Sequence, residues 1–322
     1  MSLPPEFALI ARHFRPLAGP GALDLLDDAA LLDPPAGRQL VLAADAMVEG
    51  VHYLATDPPE MVGRKLLRVN LSDLAAMGAE PLGYLMTTTL PRGVEDSWIA
   101  RFVAGLAEDQ RTFGIAVLGG DTTATPGPAC LSLTIIGTVP PGAALPRAGA
   151  QPGDGVWVSG TLGDGALGLR VLRGELPGDA EGHLARRYRL PEPRLALGQA
   201  LRGLARAAMD VSDGLVQDLG HLCRAAGCGA EIEATAVPLS PPARALVEAE
   251  PARLALALTG GDDYELLFAV PAGAEAEIER RAAAAGTPVM RIGRFVAGPP
   301  EVTVRGPDGE PLELSRQGWS HF

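Results

Sequence analysis

Lysine is almost missing from this chain: Lys65 is the only one, and the remaining basic residues are arginines. No G-x-x-x-x-G-K-[ST] run occurs, which excludes a P-loop as the means of holding phosphate. Cysteine is scarce too. Cys130, Cys223 and Cys228 are odd in number and stand at no metal-ligand spacing, which argues against a disulfide framework and a zinc site and leaves them as small core residues. No apolar run approaches the roughly 20 residues needed to span a bilayer. The opening MSLPPEFALIARHF lacks the charged-then-apolar layout of a signal peptide, so a cytoplasmic protein with no membrane partner is expected. Basic residues number 27 against 39 acidic ones, a net charge of -12, which disfavours nucleic acid as a partner. An acidic protein can still take a polyanion when metal ions lie between.

What is present is a folded chain of 322 residues, 47% apolar and regularly punctuated by glycine and proline, longer than one ordinary core supports. The Pro- and Gly-rich stretch PPGAALPRAGAQPGDG (140–155) is the best boundary, giving domains at 1–140 and 141–322. Before it the patterns predict strand 39–45, helix 59–77, strand 82–89, helix 96–113, and strands 115–119 and 130–139. Ile99, Phe102, Val103 and Leu106 form one stripe that Gly114 ends. After it come strand 155–159, a helix opened by Gly163 and Asp164, helices near 181–188 and 194–207, strand 208–211, helix 214–226 and strand 264–270. The fold class is α+β, in mixed α/β layers, with no short-period repeat.

Aspartates recur in one setting, after an apolar strand or at the start of a helix and often beside glycine. They are Asp27 and Asp28 in LLDDAAL, Asp45 in LVLAADAMVEGVH, Asp121 in VLGGDTT, Asp210 and Asp213 in MDVSDGL, and Asp262 and Asp263 in LTGGDDYEL. Open α/β sheets place ligands at such points. Two carboxylates about 5 Å apart repel by roughly 3 kcal/mol at an effective dielectric of 20, so a cluster calls for cations, and hard oxygen donors suit Mg²⁺ or Ca²⁺. Any one of these acids could be an ordinary N-cap. Asp73 fits that role less well, because it interrupts the apolar helix VNLSDLAAMGA with no Lys or Arg within a turn. In an adjacent pair such as Asp27 and Asp28, an extended backbone would turn only one side chain toward a given metal. The GGD at 119–121 and the Gly-rich SGTLGDGALGL at a helix start suggest backbone N–H groups for a polyphosphate.

The segments LLDDAALL, LVLAADAMVEGVHYL, LLRVNLSDLAAMGAEPLGYLMTTTLP, LGGDTT, RAGAQPGD, VSGTLGD, MDVSDGL, TGGDDYELLF and the terminal GWSHF resemble, in order and spacing, the thiamine-monophosphate kinase family. The resemblance covers nearly the whole chain. It implies the two-domain architecture of the aminoimidazole ribonucleotide synthetase-like superfamily and transfer of the ATP γ-phosphoryl to thiamine monophosphate. It also implies several Mg²⁺ ions per site and a homodimer joined through the N-terminal domains. Carried over by motif, Asp27, Asp45, Asp73, Asp121, Asp210 and Asp213 are the expected magnesium ligands. Gly120, Asp121, Arg147 and Ser212 are expected near the ATP phosphates, with Arg147 stabilising charge, and His52, Asp262 and Trp319 at the thiamine monophosphate. No general base is expected, since the acceptor is already an anionic phosphate oxygen.

The chain departs from the family pattern at several points. Leu25 and Leu26 stand where Gly-Ile-Gly usually precedes the first Asp, Ala43 and Ala44 replace hydroxyl residues, Asp262 replaces a Glu, and Ala124 follows GGDTT in place of Arg. Within the superfamily, a selenophosphate synthetase would need a reactive Cys in its N-terminal segment, and a hydrogenase maturation factor a Cys-bearing tail. An aminoimidazole ribonucleotide synthetase, or a non-catalytic metal- or metabolite-binding protein, is the remaining alternative.

Overall fold

The computed structural model describes residues 5–320, so the terminal His321 and Phe322 of the GWSHF motif lie outside the described residues. Two compact units make up the chain: residues 1–74 with 79–141, and residues 75–78 with 142–322.

The first unit opens with helix α1 (Pro5–Leu9) and continues through β1 (Gln39–Val48), α2 (Pro59–Ala76), β2 (Glu80–Pro91), α3 (Asp96–Phe113), β3 (Val117–Thr125) and β4 (Cys130–Val139). Its four strands lie in the order β1-β4-β2-β3. Only β2 and β3 are parallel, as a crossover through a helix requires, and α3 is that helix. Helix α3 starts and stops where its apolar stripe does. Gly114 closes it in the left-handed conformation at φ 64°, its N–H bonded to the Gln110 carbonyl. Helices α2 and α3 cross closely at Gly105, where an added Cβ would sit 2.0 Å from the Glu60 carbonyl oxygen. Leu66, Leu67 and Leu71 on α2, Phe102 and Leu106 on α3, and Leu131, Leu133 and Ile135 on β4 are all buried. On β1 the alternation is strict: Val41 and Met47 are buried while Leu40, Leu42, Ala44 and Ala46 are exposed.

The second unit runs β5 (Gly155–Ser159), α4 (Asp164–Leu172), α5 (His183–Arg189), α6 (Leu195–Leu201), β6 (Ala207–Asp210), α7 (Leu215–Ala226), β7 (Gly229–Glu233), α8 (Pro241–Ala249), α9 (Arg253–Thr259), β8 (Leu266–Val270), α10 (Glu275–Ala284), β9 (Val289–Val296) and β10 (Val302–Arg305). Its six strands follow the order β10-β7-β9-β5-β8-β6. Both faces are covered, which explains why β8 reads as a continuous apolar run. Leu267 and Ala269 pack on the side of α7, with Leu215, Leu219 and Leu222. Leu266, Phe268 and Val270 pack on the other, with Leu197, Leu201 and Ile278 from α6 and α10.

Mixed α/β layers are therefore what the patterns predicted, with two differences larger than a few residues at an end. The helix expected over 194–207 ends at Leu201, because Gly203 adopts φ 74° and Arg206 is already bonded to the β8 residue Ala269. Strand β3 runs on through the GGDTT segment to Thr125, because it pairs with β2 residue by residue from Leu85–Gly119 to Pro91–Thr125.

Candidate active site

In the first unit the chain leading to Asp27 is strained. Leu23, Asp24 and Leu25 all adopt left-handed φ values of 51°, 55° and 55°, which cost non-glycine residues about 1–2 kcal/mol each. Leu25 is one of the two leucines that depart from the Gly-Ile-Gly that the resemblance implies before Asp27. The strain is held by Arg15, whose Nε donates to the Asp24 carbonyl at 3.0 Å, and by closure of the loop from Leu31 N–H to the Gly21 carbonyl at 2.9 Å. The backbone then bends at residues 27–29 rather than extending. Both Asp27 and Asp28 line one cavity of about 600 Å³. Gly120 and Asp121 of β3 line the same cavity, with Thr87, Thr88 and Ser132 and an apolar wall that includes Phe14, Met86 and Ile136. Gly120 has to be glycine: at φ 154° a Cβ would lie 1.7 Å from the Met86 carbonyl oxygen. Asp121 sits inside its strand, not at its end, and its Oδ1 accepts the Thr122 N–H at 2.8 Å.

Asp45 is likewise a mid-strand residue of β1, where its backbone N–H donates to Oδ1 of the fully buried Asn70 at 3.1 Å. Asn70 and Asp73 are three apart on α2 and share a face, so this bond brings β1 at Asp45 to the helix turn that carries Asp73. Asn70 is a site-building residue that the aspartate pattern passed over. Asp73 is half-buried in the last turn of α2, where a carboxylate meets the negative end of the helix dipole. His52 ends the VEGVH turn. Its N–H donates to the Val48 carbonyl at 2.9 Å, and its Nδ1 accepts the Val48 N–H at 3.0 Å.

In the second unit Asp210 is the last residue of β6, and Ser212 and Asp213 form the turn into α7. The GGDD loop is laid along this turn: Asp262 N–H donates to the Ser212 carbonyl at 2.9 Å and Tyr264 N–H to the Val211 carbonyl at 2.8 Å. Trp319 joins the same place, its N–H on the Asp213 carbonyl at 2.9 Å and its own carbonyl accepting from Gln217 at 2.7 Å. Arg147 follows Pro146, whose carbonyl accepts the Ala208 N–H of β6 at 2.9 Å. His221 of α7 is held below the usual histidine range by burial, then by the positive charges of Arg224 and Arg147, so Arg147 lies within electrostatic reach of α7.

Asp218 organises this turn, and sequence reading missed it. One oxygen accepts the N–H groups of Ser212, Asp213 and Gly214 at 3.0, 3.0 and 3.2 Å. Burial, followed by the charge of Asp210, nevertheless lifts its carboxyl to about 8. Asp263 does the same for the glycine-rich loop, accepting the N–H groups of Gly163 and Gly165 at 2.7 and 3.0 Å. This corrects the expectation of a phosphate cradle at the start of α4: the chain's own carboxylate fills it. Burial pushes the Asp263 carboxyl well up. Among the described residues, no three His, Cys, Asp or Glu side chains are gathered closely enough to hold a metal ion unaided.

These two α/β units, with acids gathered at the cavity of one and at the β6–α7 turn of the other, have the architecture of AIR synthase related proteins. The family model for the N-terminal domain of that family matches residues 26–139, and the model for its C-terminal domain residues 151–305. The chain is 48% identical to the thiamine-monophosphate kinase of Caulobacter vibrioides over 99% of its own length and 91% of the relative's. It superposes on the crystal structure of thiamine-monophosphate kinase from Stenotrophomonas maltophilia with a TM-score of 0.81 at 42% identity, covering 89% and 91% of the two chains. A structure described as AaThiL complexed with AMPPCP and TMP matches at 33% identity and a TM-score of 0.78 over 92% and 91%. The chain belongs to the thiamine-monophosphate kinase family.

Proposed function

We propose that the chain transfers the γ-phosphoryl of ATP to thiamine monophosphate, giving thiamine diphosphate and ADP, in a magnesium-dependent, direct in-line step. The observation that carries this reading is the pairing of a 600 Å³ cavity lined by Asp27, Gly120 and Asp121 with a family likeness spanning 99% of the chain.

The residues present fit magnesium. Their donors are carboxylate oxygens, and although burial is the main reason the Asp218 carboxyl is raised to about 8, the charge of Asp210 adds to it, a repulsion that a cation would relieve. Mg²⁺ typically takes one or two carboxylates and fills its remaining positions with water and substrate phosphates, so a nest of three acids is not required. Asp27, Asp45, Asp73 and Asp121 of the first unit, and Asp210 and Asp213 of the second, are the proposed holders. Magnesium bound there supplies neutralisation of the phosphate charge.

Phosphoryl transfer passes through a loose, metaphosphate-like state that needs alignment and charge compensation more than a base. The chain's own contributions follow from that. Gly120 and Ser212 bring backbone close to the ATP phosphates, and Arg147 adds a fixed positive charge. His52, Asp262 and Trp319 position the acceptor. No side chain has to remove a proton, because the attacking phosphate oxygen is already anionic near neutral pH.

We further infer a cytoplasmic homodimer joined through the first unit. Its support is the edge strand β1 of the four-stranded sheet, where Leu40 and Leu42 are 44% and 63% exposed. Among the described residues no helix is long and apolar enough to cross a membrane.

ADP release coupled to thiamine monophosphate, measured with and without Mg²⁺, tests the activity. Turnover that needs both is expected, and a folded protein with no turnover overturns the reading. Asp73→Asn should lower the rate about a hundredfold or more while leaving the melting curve nearly unchanged. Full activity in that variant would remove Asp73 from the metal set.

A further inference from the structure

The chain's one lysine is not on the surface. Lys65 is 2% exposed, on the seventh residue of α2, and its ammonium donates to the His52 carbonyl oxygen at 3.0 Å. An ammonium is the most strongly hydrated of the basic groups, so burying it is costly and calls for a purpose. The carbonyl it holds belongs to a residue already tied twice to Val48, through the main chain at 2.9 Å and through Nδ1 at 3.0 Å.

The second of these bonds decides where the imidazole proton is. The Val48 N–H can only donate, so Nδ1 is the acceptor and carries no hydrogen, and a neutral ring then has its hydrogen on Nε2. Such a ring offers one further interaction, as a donor. A phosphate oxygen accepts from it. The other neutral tautomer, with hydrogen on Nδ1, would instead present a lone pair on Nε2, which repels an anion. Val48 lies near the end of β1, an edge strand, and its N–H is directed at the imidazole rather than at another strand.

We propose that Lys65 is a positioning residue that locks the VEGVH turn so that His52 is held as an Nε2–H donor for the phosphate of the acceptor substrate. This rests on the reading of His52 as a substrate contact. Lys65 works from the carbonyl side of His52 and Val48 from the ring side, and rigid α2 carries the ammonium to the turn. Arginine would not substitute, because its planar fork cannot occupy the place of a single ammonium.

The test uses the full-length protein. In ¹⁵N-histidine spectra of the ligand-free wild type, His52 should show an Nε2–H neutral ring. Lys65→Met should give a mixture of tautomers and raise KM for thiamine monophosphate about tenfold, as loss of a hydrogen bond to a charged group would, with KM for ATP unchanged. His52→Ala serves as the control. If it raises KM while folded Lys65→Met keeps both the wild-type KM and the wild-type tautomer, the positioning role alone is overturned. If His52→Ala leaves KM unchanged, the substrate contact and the positioning role both fall. Should Lys65→Met fail to fold, Lys65→Arg takes its place: a raised KM for thiamine monophosphate with KM for ATP unchanged sustains the proposal, wild-type values for both overturn it, and hydrogen on Nδ1 of His52 in the wild-type spectrum overturns it in any case.

Discussion

At Asp218 three backbone N–H groups favour the anion, while burial and the neighbouring charges of Asp210 and Asp213 oppose it, and burial wins. The folded-state value of about 8 lies above the ordinary 3.8, so between those limits the folded protein holds a proton that the unfolded chain has released. Stability from this group is therefore fully present below about pH 4 and is lost as pH rises toward 8. Denaturant titrations of metal-free protein at several pH values should show that decline, Mg²⁺ should reduce it, and Asp218→Asn should remove it. An Asn oxygen can still accept the same three N–H groups, so the variant should fold. A decline unaltered in Asp218→Asn would assign it to another group. Leu23 is 40% exposed at φ 51°, so Leu23→Gly relieves roughly 1–2 kcal/mol of strain against a glycine entropy cost of about 0.5–1 kcal/mol. A small net gain in denaturation midpoint is expected, and a clear loss would show that Leu23 packs more than it strains.

Between elements, a buried electrostatic tie in the first unit is Asp109 of α3, fully buried between Arg64 and Arg68 of α2 at 3.1 and 2.6 Å. Replacing Asp109 with Asn leaves Arg68 facing a neutral amide while Arg64 keeps Glu108 at 2.7 Å, and breaking a buried pair in this way costs about 3–5 kcal/mol. Equilibrium unfolding should show that loss, and a change under about 1 kcal/mol would mean that the arginines find water instead. This tie also shows what a sequence can and cannot disclose. Helix α3 was legible, because Ile99, Phe102 and Leu106 repeat at its own period and Gly114 marks its end. Strands β4 and β5 were legible for the same local reason. Strand β3 beyond Gly119 was not, because glycines and threonines carry no periodic signal and its extent is set by pairing with β2. The candidate site divides in the same way. Asp27 and Asp121 stand in motifs and were found, and the cavity brings them together. Asp263 stands beside Asp262 in a motif that suggests a ligand, yet its carboxylate caps a loop 98 and 100 residues away, a partnership that no spacing records. Asn70 and Asp218 were passed over for a related reason: each works by accepting backbone N–H groups, and a hydrogen-bond acceptor leaves no mark in a pattern of charges and apolar residues.

For the molecule as a whole, the exposed side of the four-stranded sheet sets an apolar force against an electrostatic one. Leu40 and Leu42 alternate outward along β1 while Val41 and Met47 turn inward, so the exposed leucines are the outward half of a regular strand and not chance surface residues. A sheet with one helix-covered face and a row of exposed leucines along its β1 edge gains from pairing with a copy of itself, since closing a two-fold contact doubles every leucine buried. Each copy, however, carries a net charge of -12, so association works against like charge. Salt shortens the reach of that repulsion to roughly 8 Å at physiological strength and leaves apolar burial intact, so the dimer should tighten as salt rises. Light scattering should give twice the 33.3 kDa chain mass for the wild type, with dissociation on dilution at low salt. Leu42→Glu places a further negative charge on the open face and should yield the monomer with its fold retained. A wild type that stays at 33.3 kDa at all salt concentrations would show that the face is left to water, and a Leu42→Glu variant as dimeric as the wild type would place the contact elsewhere.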